Sequence, residues 1–294
     1  MFIYRFISNI FLLLSPLIII FRIVNGKEDP IRFKERYGYS SLKRRKGKLI
    51  WFHCCSVGEL LSIIPLIEKL EKEKKINQIL VTTITTSAEK IIRSFSFKKT
   101  IHQYFPIDND YIIKRFLNFW NPHILFLCES EIWPNLIYRV SKKNTKLILL
   151  NARLTNKSFK KWKYVNNFSQ KIFKKFNICL TQNKETKKYL KNLGSKNIKS
   201  LGNLKFTFRK KFNTEKYIPI HRLGQTIKNL NEQILVRYNE EVEKAKAAGK
   251  SKAGAEKAGQ AMAKKLPEFT AVQKWLDNEA EIKLKKALEK MMFV

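Results

Sequence analysis

The feature that most constrains the fold of this 294-residue chain is an alternation of short apolar runs with helical patterns between Lys48 and Phe206. Short runs rich in Ile, Leu, Val and Phe are typical of buried strands, and apolar residues at helical spacing are typical of helices packed on a sheet. The alternation predicts an α/β fold with a Rossmann-like parallel sheet that helices cover on both faces. The predicted strands are 48–54, 79–84, 101–105, 123–128, 146–151, 178–181 and 198–201, and the predicted helices are 59–72, 87–94, 109–119, 132–141, 158–175 and 184–193.

One junction in this pattern carries a candidate catalytic group. The stretch 51–59 reads Trp-Phe-His-Cys-Cys-Ser-Val-Gly-Glu, which predicts the end of a strand, a turn with Gly58 at the bend, and a helix with Glu59 in its first turn. Open α/β folds bind ligands at such carboxyl ends of strands. The helix dipole stabilises an ionised carboxylate at this position, so Glu59 is a candidate general base. The alternative is that Glu59 only helps to begin the helix.

A second group of candidate residues follows the predicted strand 123–128. Glu129 and Glu131 lie two residues apart, so their side chains point the same way in an extended segment and suit substrate hydroxyls. Arg153 follows the next strand along the chain. An ion pair between Arg153 and these glutamates is the structural alternative to a binding role.

The composition narrows the class of partner. A net charge of +35 favours an anionic partner, either nucleic acid or an anionic lipid surface, and a mutational bias towards Lys, Ile, Asn and Phe is the alternative. The four cysteines show neither zinc-ligand spacing nor a disulfide pattern. The chain also contains no Gly-x-Gly-x-x-Gly and no Walker sequence. We therefore predict no metal, no cofactor, and buried thiols in a reducing compartment.

The N-terminal region differs from the α/β region. Residues 6–21 are apolar, Arg5 and Arg22 bracket them, and Pro16 interrupts them. This pattern predicts a membrane anchor over residues 1–26, either as a tilted single span or as a helix lying in the interface. A core helix is the alternative. Basic residues after the anchor predict that the following domain, residues 27–206, lies on the cytoplasmic side.

The C-terminal region has a third composition. Residues 1–216 contain two alanines, whereas residues 217–294 contain eleven. The Ala- and Lys-rich run 240–265 favours helix by propensity, although its glycines weaken that preference. Residues 207–294 therefore predict an atypical helical segment that does not form a second α/β domain.

Five motifs, in order along the chain, resemble those of the 3-deoxy-D-manno-octulosonic acid (Kdo) transferases, which build the inner core of lipopolysaccharide. The stretch 53–59 resembles the family's His-Ala-Ala-Ser-Val-Gly-Glu signature, and 129–135 resembles its Glu-x-Glu-x-Trp-Pro-Asn motif. The other three are Lys-Glu-Asp-Pro at 27–30 with Glu-Arg-Tyr-Gly at 35–38, Asn-Ala-Arg-Leu-Thr at 151–155, and Gly-Asn-Leu-Lys-Phe at 202–206.

The resemblance implies the acceptor-side, Rossmann-like half of a GT-B glycosyltransferase at the cell inner membrane. It implies that Glu59 takes the proton of a sugar hydroxyl of a lipid A precursor, while that oxygen attacks the anomeric carbon of Kdo and displaces CMP with inversion. The implied partners are CMP-Kdo as donor, a lipid A precursor as acceptor, and an anionic membrane surface. The implied acceptor-binding residues are Ser56, Gly58, Thr83, Thr85, Glu129, Glu131 and Arg153.

Two further expectations accompany the resemblance. Arg32, Lys34, Arg36 and the basic run 43–46 follow the anchor and are predicted to face anionic headgroups. Because the region after residue 206 does not resemble the family's donor half, we predict that this chain alone transfers Kdo poorly. A non-catalytic membrane-anchored protein is the alternative. A basic nucleic-acid-binding protein fits the charge but explains none of the five motifs, so we predict no nucleic-acid partner.

Overall fold

Seven parallel strands form one sheet in this computed structural model, which describes residues 1–204, 243, 247 and 248. The strands are β1 (Leu49–Cys54), β2 (Gln78–Thr83), β3 (Thr100–Tyr104), β4 (Ile124–Cys128), β5 (Lys146–Ala152), β6 (Ile178–Thr181) and β7 (Ile198–Ser200). The helices are α1 (Phe2–Val24), α2 (Val57–Lys72), α3 (Thr86–Arg93), α4 (Asp110–Trp120), α5 (Pro134–Val140), α6 (Asn156–Tyr164), α7 (Asn166–Phe173) and α8 (Lys184–Asn192), with a 3-10 helix at Phe33–Tyr37.

The strand order is β3-β2-β1-β4-β5-β6-β7, and every pairing is parallel. This order is that of doubly wound α/β folds, in which the direction of strand addition reverses between β1 and β4. The predicted Rossmann-like fold is therefore confirmed, and each strand lies within one residue of its predicted bounds. The predicted segment 207–294 lies outside the described residues, apart from positions 243, 247 and 248.

Large apolar side chains cover both faces of the sheet. Successive residues of a strand point to opposite faces, and Trp51 and Phe52 of β1 are both fully buried. The ring of Trp51 packs on Phe116 at 4.7 Å between centroids, and the ring of Phe52 stacks on Phe126 of β4 at 4.6 Å. A sheet whose two faces are buried in this way holds its strand ends in fixed positions, and those ends carry the candidate site.

One predicted helix is wrong. The pattern predicts a single helix over 158–175, but the chain forms α6 and α7 with a break at Val165, where φ is −101° and ψ is 48°. Val165 is β-branched and is followed by Asn166 and Asn167, and all three are weak helix formers.

The N-terminal helix α1 turns its polar side chains towards the domain. Tyr4 Oη donates to Asp108 Oδ2 at 2.8 Å, and Arg22 Nε donates to Glu28 Oε2 at 3.1 Å near the other end of the helix. Between them lie Arg5–Asp110, Asn9–Asn109 and Ser15–Tyr37 contacts. The outward face is apolar and exposed, and it includes Phe2, Ile3, Phe6, Ile10, Leu13, Leu14, Leu17, Ile20, Phe21 and Val24.

The burial of α1 bears on its predicted role as a membrane anchor. Ser15 and Ile19 are its two buried residues, so α1 does not lie in the core of the described domain. Among the described residues, α1 is the one helix with the length and apolar composition to cross a membrane.

Two basic residues after α1 lie inside the domain. Arg36 is 7% exposed, makes a bidentate ion pair with Glu28, and donates to Ile84 O at 2.6 Å. Arg32 is half-buried and pairs with Glu35 and Glu89. The prediction that Arg32 and Arg36 face headgroups is therefore wrong, because buried carboxylates and backbone carbonyls take up their donors. Lys34 and the basic residues Lys43, Arg45 and Lys46 remain exposed.

Candidate active site

The candidate site lies at the carboxyl ends of β1 and β4, the neighbouring strands between which the strand order reverses. His53 of β1 pairs in register with Leu127 of β4, so the segments that follow these two strands lie side by side. Ligands of open α/β sheets bind in the crevice at this switch point. Glu59 follows β1, whereas Glu129 and Glu131 follow β4, and the charges of both act on the Glu59 carboxylate.

Glu59 is held in place by the start of α2. Ser56 is the N-cap residue, and its Oγ accepts from the Glu59 N–H at 3.3 Å. The Glu59 carboxylate in turn accepts from Cys55 N at 2.8 Å and from Ser56 Oγ at 3.1 Å. This is a Ser-x-x-Glu capping box in which the carboxylate reaches one residue further back. Glu59 therefore does help to begin the helix, and this contact leaves its role as a candidate base open.

The turn itself differs from the prediction in one respect. Cys55 and Ser56 make the bend, while Gly58 lies inside the first turn of α2. Gly58 is thus the second helical residue rather than the residue at the bend.

The environment of Glu59 shifts its proton affinity. The side chain is 8% exposed, and burial raises its pKa to about 7 against the opposing effect of the Cys55 N–H. The charges of Glu131 and Glu129 raise this pKa further. A carboxyl group with a pKa near neutrality is matched to general-base chemistry, because it is both available as the base and able to hold the proton.

His53 and Glu131 form the floor of the site. His53 is fully buried, its ring stacks on Phe105 at 3.6 Å between centroids, and its Nδ1 lies 3.2 Å from Thr82 O. Its Nε2 lies 3.4 Å from Glu131 Oε2, and burial lowers the pKa of the ring, which favours a neutral imidazole. Trp133 Nε1 donates to the same Glu131 oxygen at 2.9 Å.

The surroundings of Cys55, next to Ser56, disfavour its thiolate form. Burial, together with the charges of Glu131 and Glu59, raises the pKa of Cys55 to about 12. A thiol needs a lowered pKa to react as the thiolate. All four cysteines are free, and Cys54, Cys128 and Cys179 are buried. Within residues 1–204, no group of three or more His, Cys, Asp or Glu side chains is arranged to hold a metal ion.

Asn151 is a site residue that the sequence analysis did not single out. It and Glu129 both have φ of 53°, a left-handed conformation that few non-glycine residues adopt. The Asn151 side chain lies 3.5 Å from Glu129 Oε1 and accepts from Leu204 N at 3.0 Å, so it connects three of the five motifs. Its Nδ2 also lies 3.4 Å from Asn203 Oδ1. The sequence feature that could have indicated this conformation is the residue type itself, because Asn adopts a left-handed backbone more readily than most residues.

The remaining predicted binding residues lie in different surroundings. Thr83 is buried, and its Oγ1 lies 2.9 Å from His102 Nε2, inside the network of Arg32 and Glu35. Thr85 caps α3 by accepting from Ala88 N at 3.2 Å. Arg153 is exposed and contacts Glu129 through the backbone, Arg153 N to Glu129 O at 3.4 Å. The structure thus brings Ser56, Gly58, Glu59, Glu129 and Glu131 to the switch point, and it places Thr83 and Thr85 within local structural contacts.

The fold and the site together define an α/β protein with buried Glu59 and Glu129 and partly buried Glu131 at the switch point of its sheet. Comparison with known sequences identifies the family. Residues 31–208 match the family of 3-deoxy-D-manno-octulosonic-acid transferases (kdotransferases), and the chain belongs to this family.

Similar proteins come from bacteria and a plant. A 3-deoxy-D-manno-octulosonic acid transferase of Rickettsia bellii is 37% identical over 227 residues, which are 77% of this chain and 53% of the relative. A probable mitochondrial 3-deoxy-D-manno-octulosonic acid transferase of Arabidopsis thaliana is 41% identical over 55% of this chain and 37% of the relative. A bifunctional glycosyltransferase/methyltransferase of Fusobacterium nucleatum is 31% identical over 63% of this chain and 28% of the relative. The chain thus spans about half or less of the length of these relatives.

Proposed function

We propose that residues 27–206 are the acceptor-side domain of a GT-B glycosyltransferase that moves Kdo from CMP-Kdo to a lipid A precursor. The observation that carries this proposal is Glu59, a nearly buried carboxylate at the switch point with its pKa raised to about 7. Membership of the family supports the reaction class, and the position of Glu59 within the 53–59 motif supports its role.

In the proposed reaction Glu59 is the general base. A sugar hydroxyl of the acceptor donates its proton to the carboxylate, and the hydroxyl oxygen forms a bond to the anomeric carbon of Kdo. The bond from that carbon to the CMP phosphate oxygen breaks on the opposite face, so the configuration inverts. Cys55 N and Ser56 Oγ fix the carboxylate by hydrogen bonds, which orients its free lone pairs before the acceptor arrives.

The other carboxylates have a positioning role in this proposal. Trp133 fixes one oxygen of Glu131, and Asn151 lies against one oxygen of Glu129, so each carboxylate keeps a defined orientation for accepting substrate hydroxyls. Both also raise the pKa of Glu59, which makes it a stronger base. Ser56 and Gly58 shape the turn, and exposed Arg153 is available to an anionic group of the substrate. Thr83 and Thr85 support the β2 edge of the acceptor site.

We also propose that α1 lies in the membrane interface of the inner membrane, with the domain on the cytoplasmic side. The polar stripe that contacts Asp108, Asp110 and Glu28 would lose its partners if α1 crossed the bilayer alone. The exposed apolar face instead suits the acyl boundary of a bilayer. Exposed Lys43, Arg45 and Lys46 are candidates for contact with anionic headgroups.

The test is a hybrid enzyme in which residues 1–206 precede the C-terminal half of the Rickettsia bellii relative. We expect the hybrid to transfer Kdo from CMP-Kdo to a lipid A precursor in detergent, and the same hybrid with Glu59→Gln to lose this activity. A folded hybrid that binds both substrates yet transfers Kdo equally well with Gln at position 59 would contradict the role of Glu59.

A further inference from the structure

A cavity of about 440 Å³ lies between α1 and the domain. Its α1 wall includes Ile7, Phe11 and Ile18, and its domain wall includes Ile84 and Phe105. The lining is almost entirely apolar, and the volume lies within the range of small-molecule sites, about 300–1,000 Å³. A cavity of this kind suits an apolar ligand.

The charged groups along the cavity are already paired. Arg22 and Arg36 both bind Glu28, and Asp108 accepts hydrogen bonds from Tyr4 Oη and from the backbone of α5. Because these charged groups are paired with one another, the surface that remains for a ligand is apolar. An ionic ligand would have to compete with existing pairs, whereas a hydrocarbon chain would not.

The outer wall of the cavity is continuous with the lipid-facing side of α1. Ile7, Phe11 and Ile18 line the cavity, yet they are 57%, 47% and 37% exposed. These side chains therefore lie at an open side of the cavity and not in a closed interior. With α1 in the membrane interface as proposed above, this open side gives a chain of the acyl layer a route into the cavity.

The inner wall borders the candidate active site. Phe105 and Trp133 line the cavity, and Phe105 stacks on His53 on its other side. Trp133 lies against Phe105 at 5.1 Å between centroids and donates to Glu131. A molecule with its polar head at the three carboxylates and one chain in this cavity would reach from the switch point to the membrane.

We propose that this cavity binds one acyl chain of the acceptor glycolipid, and that α1 is one wall of the acceptor site as well as the membrane helix. The inference rests on the proposed function, because that function supplies an acceptor with acyl chains. It assigns a binding role to Ile18, Ile84 and Trp133, three residues outside the carboxylate cluster.

Photolabelling of the full chain tests the proposal. The chain is reconstituted in phosphatidylethanolamine–phosphatidylglycerol vesicles with a lipid A precursor that carries a diazirine at the end of one acyl chain. After irradiation, we expect adducts at residues 105–107, which lie on the domain side of the cavity, in addition to adducts on α1. Excess unlabelled precursor should remove the adducts at residues 105–107, whereas its chain-free sugar headgroup should not.

Cavity-filling variants sharpen the result. Ile18→Trp fills the cavity from α1 and Ile84→Trp fills it from the domain, and we expect each to lower labelling of residues 105–107 at least fivefold. Ile20→Trp is the matched control, because Ile20 is exposed on α1 outside the cavity. Circular dichroism confirms folding, and Ile18→Trp alone decides the outcome if Ile84→Trp does not fold.

Three results would overturn the proposal. Labelling confined to α1, or equal labelling in Ile18→Trp and Ile20→Trp, would show that no chain enters. Equal labelling of residues 105–107 by a diazirine phosphatidylethanolamine, without competition by the precursor, would assign the cavity to bulk lipid. A fourth result separates the two proposals. If the precursor competes for labelling of residues 105–107 but the hybrid enzyme does not transfer Kdo, the proposed reaction is contradicted and the acyl-chain site is not.

Discussion

The carboxylate after β1 and the carboxylates after β4 are held by different kinds of contact. Glu59 is fixed within five residues of chain, by Cys55 and Ser56 at the start of a regular helix. Glu129 has a left-handed backbone and lies against Asn151, which itself binds Leu204, 53 residues further along the chain. The comparison shows that one side of the site forms from local sequence and the other side only when the sheet has assembled.

Replacing the local carboxylate should have the largest effect. In the hybrid enzyme, we expect Glu59→Gln to lower kcat for Kdo transfer by about 10²–10⁴-fold, because the base is lost while the capping interaction is kept. Steady-state kinetics measure this loss. Glu185→Gln is the control, since Glu185 also lies in the first turn of a helix, α8, and should leave kcat unchanged.

The same variant should change how stability depends on pH. The pKa of Glu59 rises from 4.5 in the unfolded chain to about 7 in the fold, so the folded state holds the extra proton between these values. The stabilisation of the fold by this proton on Glu59 is fully present below pH 4.5 and is lost as pH rises through 7. We expect wild type to lose up to about 3 kcal/mol of unfolding free energy relative to Glu59→Gln between pH 4.5 and pH 8. Urea unfolding at several pH values measures the difference in unfolding free energy between wild type and Glu59→Gln. If this difference does not change with pH, the pKa of Glu59 is not raised.

The long-range side of the site should respond to Asn151. We expect Asn151→Ala to lower the unfolding free energy by about 2–4 kcal/mol, because it removes the bond from Leu204 N and leaves a Cβ in a left-handed backbone. Asn151→Gly should recover about 1 kcal/mol of this loss, since glycine adopts positive φ readily. Equal losses in the two variants, measured by urea unfolding, would mean that the backbone conformation carries no cost.

The smallest expected effect concerns the cap. Ser56→Ala should lower the unfolding free energy by about 1 kcal/mol, and the loss of the Ser56 hydroxyl should raise the pKa of Glu59 further. The pH–rate profile of the hybrid should then shift to higher pH. Asn183→Ala removes the N-cap of α8 and is the control, with a similar stability loss and no shift. If the pH–rate profile of Ser56→Ala is not shifted, the Ser56 hydroxyl does not control the pKa of the proposed base.

The same contrast explains what could be predicted from the sequence. The strand bounds and the position of Glu59 follow from apolar periodicity and from the Ser-x-x-Glu pattern, both of which are local. The partners of Asn151 are Glu129 and Leu204, 22 and 53 residues away, and Asn151 lies where the register between β5 and β6 shifts, so no local pattern encodes its role. The inward position of Arg36 depends on Glu28 and on carbonyls of β2–α3 and β3 segments, so a basic residue that looked solvent-exposed is buried.

The contact between Tyr4 and Asp108 has a consequence for how the chain is made. The two residues are 104 positions apart, and synthesis proceeds at about 5–20 residues per second. Tyr4 therefore leaves the ribosome about 5–20 s before its partner Asp108 exists. During that interval a bilayer can receive the apolar face of α1 before the domain has folded. We expect the domain to assemble against a helix already placed in lipid, so that the membrane serves as the template on which the acceptor site is completed.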